Sequence, residues 1–143
     1  MPPQTAPAAA QDLTVAPLVP VDVRIPRVWI FNGTPGDDEH HLFYERNLAS
    51  LRKSLTERFG IPPGHITVLY GPKSAGYDGP CTREALLAEL GKVAAHLQQP
   101  GASPAWVILQ GHANAITGGA MFNLPGPDVS AREAGDALKA APA

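Results

Sequence analysis

From residue 27 onward, short apolar runs alternate with longer amphipathic stretches. Arg27-Val-Trp-Ile-Phe31, His65-Ile-Thr-Val-Leu-Tyr70 and Ala105-Trp-Val-Ile-Leu-Gln110 are of strand length and rich in β-branched, aromatic and aliphatic residues. Between the first two, Tyr44, Leu48, Leu51, Leu55 and Phe59 recur at three- and four-residue spacing. That spacing predicts one apolar stripe on a helix that Gly60 ends. Asp37 and Asp38 suit its start, because carboxylates favour the positive end of a helix dipole. Leu86, Leu90, Val93, Ala94 and Leu97 predict a second helix, with Thr82 as N-cap, Glu84 in the first turn and Pro100-Gly101 as the stop. The third run is nearly all apolar and is expected to be covered on both faces. Gly118-Gly119 with Met121–Leu124 predicts a small hairpin, and Pro125-Gly-Pro127 breaks the chain. Ser130-x-x-Glu133 is a capping box opening an Ala-rich third helix.

Strands alternating with connections of helical length predict an α/β fold with a parallel sheet. Residues 1–26 differ: six are proline, four of the first ten are alanine, and no Lys or Arg precedes Arg24. They are expected to form an extended or disordered arm without the basic start of a signal or transit peptide. A cytoplasmic protein and an exported one whose signal has been removed both fit, so the compartment stays open.

The 143 residues suffice for one domain, here 27–143. A net charge of -2 and the lack of a basic stripe with interleaved aromatics argue against nucleic acid as a partner. No run approaches the roughly 20 apolar residues of a membrane helix. Cys81, the single cysteine, excludes an internal disulfide and a multi-cysteine zinc site.

Ligands and chemistry gather at the carboxyl ends of parallel strands. The loop after the first strand carries Asp37, Asp38, Glu39, His40 and His41; the second carries Cys81 and Arg83; the third carries His112 and Asn114. His65 at a strand start and His96 within a helix are expected to be structural or solvated. His112 directly follows an apolar strand, and Gly111 before it brings no side chain to crowd it. An imidazole so placed can take a proton from a nucleophile; the plainer alternative is a hydrogen-bonded loop histidine.

Gln110-Gly-His112 after an apolar strand resembles the histidine element of caspase-like cysteine peptidases, the clan of caspases, metacaspases, legumains and gingipains. Cys81-Thr-Arg-Glu-Ala-Leu-Leu-Ala-Glu-Leu90 resembles the helix start before that strand, and Gly60-Ile-Pro-Pro-Gly-His-Ile-Thr-Val-Leu69 the legumain-type passage into the second. Phe122-Asn-Leu-Pro-Gly-Pro-Asp-Val-Ser-Ala-Arg-Glu133 resembles the segment after the histidine, so the likeness spans residues 27–141. It implies a three-layer sandwich, sheet order 2-1-3, acting on peptides or proteins by acyl transfer without a cofactor. His112 would be the general acid/base, and the Gly111 and Ala113 backbone would hold the oxyanion. Ala113 departs from the family's glycine after the histidine. The family's nucleophilic cysteine follows a fourth strand, which the sequence does not reach by Ala143. The implied protein is the front half of such a domain, with an incomplete dyad and no proteolysis by this chain alone.

Other readings compete. Cys81 at a helix start feels the dipole that lowers a thiol's pKa, and could pair with His112 as an alternative nucleophile. Asp37, Asp38, His40 and His41, with His112, supply zinc-ligand types. Adjacent histidines on a helix point about 100° apart, however, so a polar helix start with no metal is the expectation. The acidic pair after strand one mimics a receiver domain, yet the third strand ends in His112 where a receiver needs Asp. Neither G-x-G-x-x-G nor a phosphate-binding P-loop is present. A non-catalytic scaffold is the remaining class. Its open edge at 106–109 would serve self-association or a complementing chain.

Overall fold

The computed structural model describes residues 24–72 and 75–139. The arm expected over residues 1–26 therefore lies, through residue 23, outside the described residues. β1 (Arg27–Asn32), α1 (Asp38–Glu57), β2 (Ile66–Tyr70), α2 (Arg83–Leu97) and β3 (Ala105–Gln110) follow in the predicted order. β4 (Ala113–Ile116), β5 (Gly119–Phe122), β6 (Val129–Ser130) and α3 (Ala131–Lys139) complete the described chain. The fold is mixed α/β. β1, β2 and β3 form a parallel sheet in the order β2-β1-β3, and β4, β5 and β6 a separate antiparallel one.

β1 is central because both its faces are apolar. Val28 and Ile30 join Tyr44, Leu48 and Leu55 of α1 in one buried cluster. Trp29 and Phe31, pointing the other way, join Leu86, Leu90 and Val93 of α2 in a second. Burying each such side chain contributes about 1.5–3 kcal/mol over leaving it in water.

α1 opens at Asp38, where the carboxylates placed its start, and Asp37 is its N-cap, the carboxylate accepting from the His40 N–H at 2.8 Å. It stops at Glu57, before Gly60 (φ +66°) turns the chain. Phe59 was expected on the apolar stripe, but beyond the helix it loses that register. It lies 61% exposed, its ring edge-on to Trp106 at 5.8 Å. Leu97, the last residue of α2, is likewise exposed. His65 belongs to a single 3-10 turn, Pro63–His65, which the Pro62-Pro63 pair initiates, so β2 begins one residue later than expected. Thr82 caps α2 through Ala85 N–H at 3.2 Å.

The capping box at α3 is complete. Glu133 N–H donates to Ser130 Oγ at 3.2 Å, and Ser130 N–H and Oγ–H donate to Glu133 Oε2 at 2.9 and 2.8 Å. Arg83 of α2 pairs with the same Glu133 and donates to Asp128 O at 2.9 Å. The guanidinium and then the Ser130 donors hold the Glu133 carboxyl down to about 2.

The third strand corrects an expectation. β3 is not covered on both faces: Trp106, Val107 and Leu109 are 37%, 37% and 57% exposed. The cause is position. Among the described residues β3 pairs with β1 on one side only.

Each parallel strand exits into glycine, and the reason is crowding. A Cβ on Gly33 would stand 2.4 Å from Asn123 O, and one on Gly71 2.7 Å from Pro125 Cγ. At Gly111 it would meet Phe122 Cε2 at 2.9 Å, on a backbone whose φ of +155° itself favours glycine. Phe122–Pro125 thus lies across all three strand exits. Gly111 makes room for Phe122 rather than for His112.

Gly33→Ala is expected to lower stability, because the clash is with backbone, whereas Gly91→Ala in α2, where a Cβ meets nothing within 4 Å, should raise it by about 0.4–1 kcal/mol. Urea unfolding checks both. Glu133 ionises more easily folded than unfolded. Its pairing therefore stabilises the fold above the ordinary value of 4.5 and fades as pH falls from there through about 2. Arg83→Gln should flatten the fall in urea midpoint across that acid range.

Candidate functional site

His112 stands where expected, at the exit of β3 beside the loop leaving β1. Gly33 N–H donates to Gln110 O at 2.9 Å, which holds these two exits together. The His112 ring reaches back, Nε2 lying 2.9 Å from Pro35 O. A carbonyl oxygen can only accept, so Nε2 carries a proton, and the neutral tautomer this selects has its lone pair on Nδ1. Nδ1 has no hydrogen-bond partner among the described residues.

Two α1 side chains frame this ring. His40 lies edge-on at 5.1 Å between centroids, and Tyr44 is tilted at 6.1 Å. His40 is itself tethered, its Nδ1 lying 2.8 Å from both Asp37 oxygens. The Asp37 carboxyl is held below its ordinary value, first by the His40 backbone N–H and then by the His40 ring. Desolvation raises the Tyr44 phenol. Asn123 N–H donates to His112 O at 3.0 Å, so the backbone of His112 faces β5. Strand alternation then turns the Ala113 N–H away from β5, leaving it without a ladder partner among the described residues. Asn32 Oδ1, Thr34 Oγ1 and Asn123 Oδ1, all near these exits, are buried and without a partner among the described residues.

The remaining candidates do not gather on His112. His41, one residue after His40, turns inward. Its Nδ1 lies 2.5 Å from Tyr70 Oη and its Nε2 3.5 Å from Glu45. Tyr70 is wholly buried, and burial pushes its phenol up to about 12. Asp38 lines, with Thr34, Gly36 and His41, a small cleft of about 190 Å³ at the start of α1. No group of three His, Cys, Asp or Glu among the described residues is arranged to hold a metal ion.

Cys81 sits in the cluster of Trp29, Phe31 and Leu86, on the α2 face of β1, whereas His112 packs against α1 residues. It is fully buried, and desolvation pushes its thiol up to about 12. The expected dipole effect is overridden because Thr82, not Cys81, caps α2 and the sulfur points into the core. Arg83 is spent on Asp128 and Glu133. Asn114 is exposed on β4.

Nothing local in the sequence marks Pro35 or Tyr44 as site residues, Tyr44 being one position of the α1 apolar stripe. The 2-1-3 order carried a signal for Pro35, since it places the loop after β1 beside the exit of β3.

No protein-family model, curated protein or solved structure matches the chain. The fold and site define an α/β protein with a parallel β2-β1-β3 sheet and a histidine at the carboxyl end of β3. No helix among the described residues is long and apolar enough to cross a membrane.

Native Cys81 should react with iodoacetamide more than about tenfold slower than the urea-unfolded chain, because a buried, protonated thiol is a poor nucleophile. Mass-resolved alkylation timed in both states checks this. His112→Ala removes one neutral hydrogen bond and should cost about 0.5–1.5 kcal/mol in urea unfolding.

Proposed function

We propose that this chain is the histidine-bearing part of a caspase-like, legumain-type peptidase domain of three-layer α/β build, and that it hydrolyses no peptide bond by itself. The posture of His112 carries the reading. Its Nε2–H is committed to Pro35 O, and Nδ1, at the mouth of a parallel strand, has no partner among the described residues. In acyl transfer such a nitrogen takes the proton of a thiol and delivers it to the departing amine. The Ala113 N–H, without a ladder partner among the described residues, is a donor of the kind that holds the oxyanion. The thiol is what this chain lacks, because Cys81 is buried, protonated and on the other face of β1.

The bare β3 favours a second reading, a non-catalytic scaffold that binds another protein chain along that edge.

The 143-residue chain is expected to turn over fluorogenic peptides with Asn, Asp, Arg or Lys before the cut no faster than buffer. Iodoacetamide-sensitive turnover lost in Cys81→Ser would overturn the proposal and favour the Cys81–His112 pair. Nitrogen-15 spectra should show neutral His112 protonated on Nε2; protonation on Nδ1 instead would remove the observation on which the reading stands.

A further inference from the structure

The two edges of the parallel sheet are treated differently. Along the outer edge of β2, Asp78 and Gly79 take up the outward backbone groups. Val68 N–H donates to Asp78 Oδ2 at 2.7 Å, Asp78 N–H to Val68 O at 2.9 Å, and Tyr70 N–H to Gly79 O at 3.0 Å. Nothing among the described residues does this for β3.

The groups β3 leaves open follow from its bonds to β1. Arg27 N–H donates to Pro104 O at 3.0 Å and Gly33 N–H to Gln110 O at 2.9 Å. Even-numbered residues of this strand therefore aim their backbone at β1. By alternation, the N–H and C=O groups of Ala105, Val107 and Leu109 aim outward. The strand between them has no charge and no proline, and its exposed side chains, Trp106, Val107 and Leu109, are apolar. Natural sheet edges usually carry a charge, a proline or a bulge to prevent pairing; β3 has none of these.

We propose that β3 pairs antiparallel with β3 of a second copy of this chain about a two-fold axis through Val107, joining two parallel sheets into one. Directly opposed residues in an antiparallel pair share a face, so their numbers must have the same parity. Of the two central registers, only the one with Val107 opposite itself puts every outward group into a hydrogen-bonded pair. It sets Val107 against the partner's Val107, Ala105 against the partner's Leu109 and Leu109 against the partner's Ala105. The register centred on Ile108 leaves Ala105 to face Gly111. In the favoured register Trp106 lies against the partner's Ile108, an aromatic and β-branched pair of the kind that stabilises sheets, on the face where Phe59 already touches Trp106. On the other face, Val107 and Leu109 line an apolar cleft of about 360 Å³ with Leu86, Leu90, Phe122 and Leu138, which the partner's strand would border. The chain's own residues 13–23 fit the edge poorly. Pro17 and Pro20, three apart, remove a donor from each alternating set, so neither side of such a strand could pair throughout. Strand self-complementarity thus selects a second copy over residues 13–23 as the occupant of this edge. This pairing rests on the β3 edge alone, whatever the role of His112.

Sedimentation equilibrium of the 143-residue chain from about 1 to about 100 µM should show a dimer. Val107→Lys and Val107→Glu each place like charges together on the axis and should raise the dissociation constant more than about tenfold. An equimolar mixture of the two variants should recover the dimer, because one position faces itself. Hydrogen exchange of the unaltered chain gives a second readout that needs no variant. Trp106 and Ile108 amides are protected by β1 at any concentration, whereas those of Ala105, Val107 and Leu109 should gain protection as concentration rises. A chain still monomeric at about 100 µM, a dimer indifferent to Val107→Lys, a mixture that stays monomeric, or odd-numbered amides unprotected in the dimer would each overturn the proposal.

Discussion

The two-faced burial of β1 governs the molecule. Val28, Ile30 and Phe31 are fully buried and Trp29 nearly so, a state that requires α1 on one side, α2 on the other and a paired strand at each edge. A strand with one polar face could sit at a sheet edge or half in solvent. From Val28 to Phe31 β1 has no polar face to expose, so the chain must fold back over it once on each side, as α1 and as α2. The β2-β1-β3 order and the strictly parallel registers follow from satisfying that one strand.

The same constraint produces the site. Once the three strands run parallel and in register, their carboxyl ends open on one rim, and the chain leaving β3 must cross the exits of the other two. It does so through Phe122–Pro125, close enough that only glycine fits at positions 33, 71 and 111. His112 is held in the resulting corner by a backbone oxygen of the first loop and two rings of α1. The imidazole is oriented by structure, with Nδ1 lacking a hydrogen-bond partner among the described residues. The sulfur available on this chain is oriented the opposite way, into the core. Geometry therefore separates the two groups that a thiol hydrolase would bring together.

The edges tell a similar story of local accounting. β2 receives a surrogate neighbour from Asp78 and Gly79, while β3 retains a clean, uncharged row of backbone groups. An apolar third run looks in sequence like a strand buried on both faces. Its half-exposure shows how far burial depends on having a neighbour rather than on composition.

Much of the fold was legible in the chain. Strands, helices, the acidic start of α1, the Thr82 cap and the Ser130–Glu133 box all depend on residues within a few positions of each other, where periodicity, the helix dipole and capping chemistry act. So did the placing of His112, because a residue directly after a parallel strand must lie at the carboxyl rim. What sequence could not reveal were relations across long separations. Phe59 left its stripe because α1 ended early; Cys81 lost its dipole when the sulfur turned into the core; and Gly111 proved necessary for Phe122 rather than for His112. Those outcomes depend on which side chain arrives from elsewhere to occupy a given volume, and tertiary packing alone decides that.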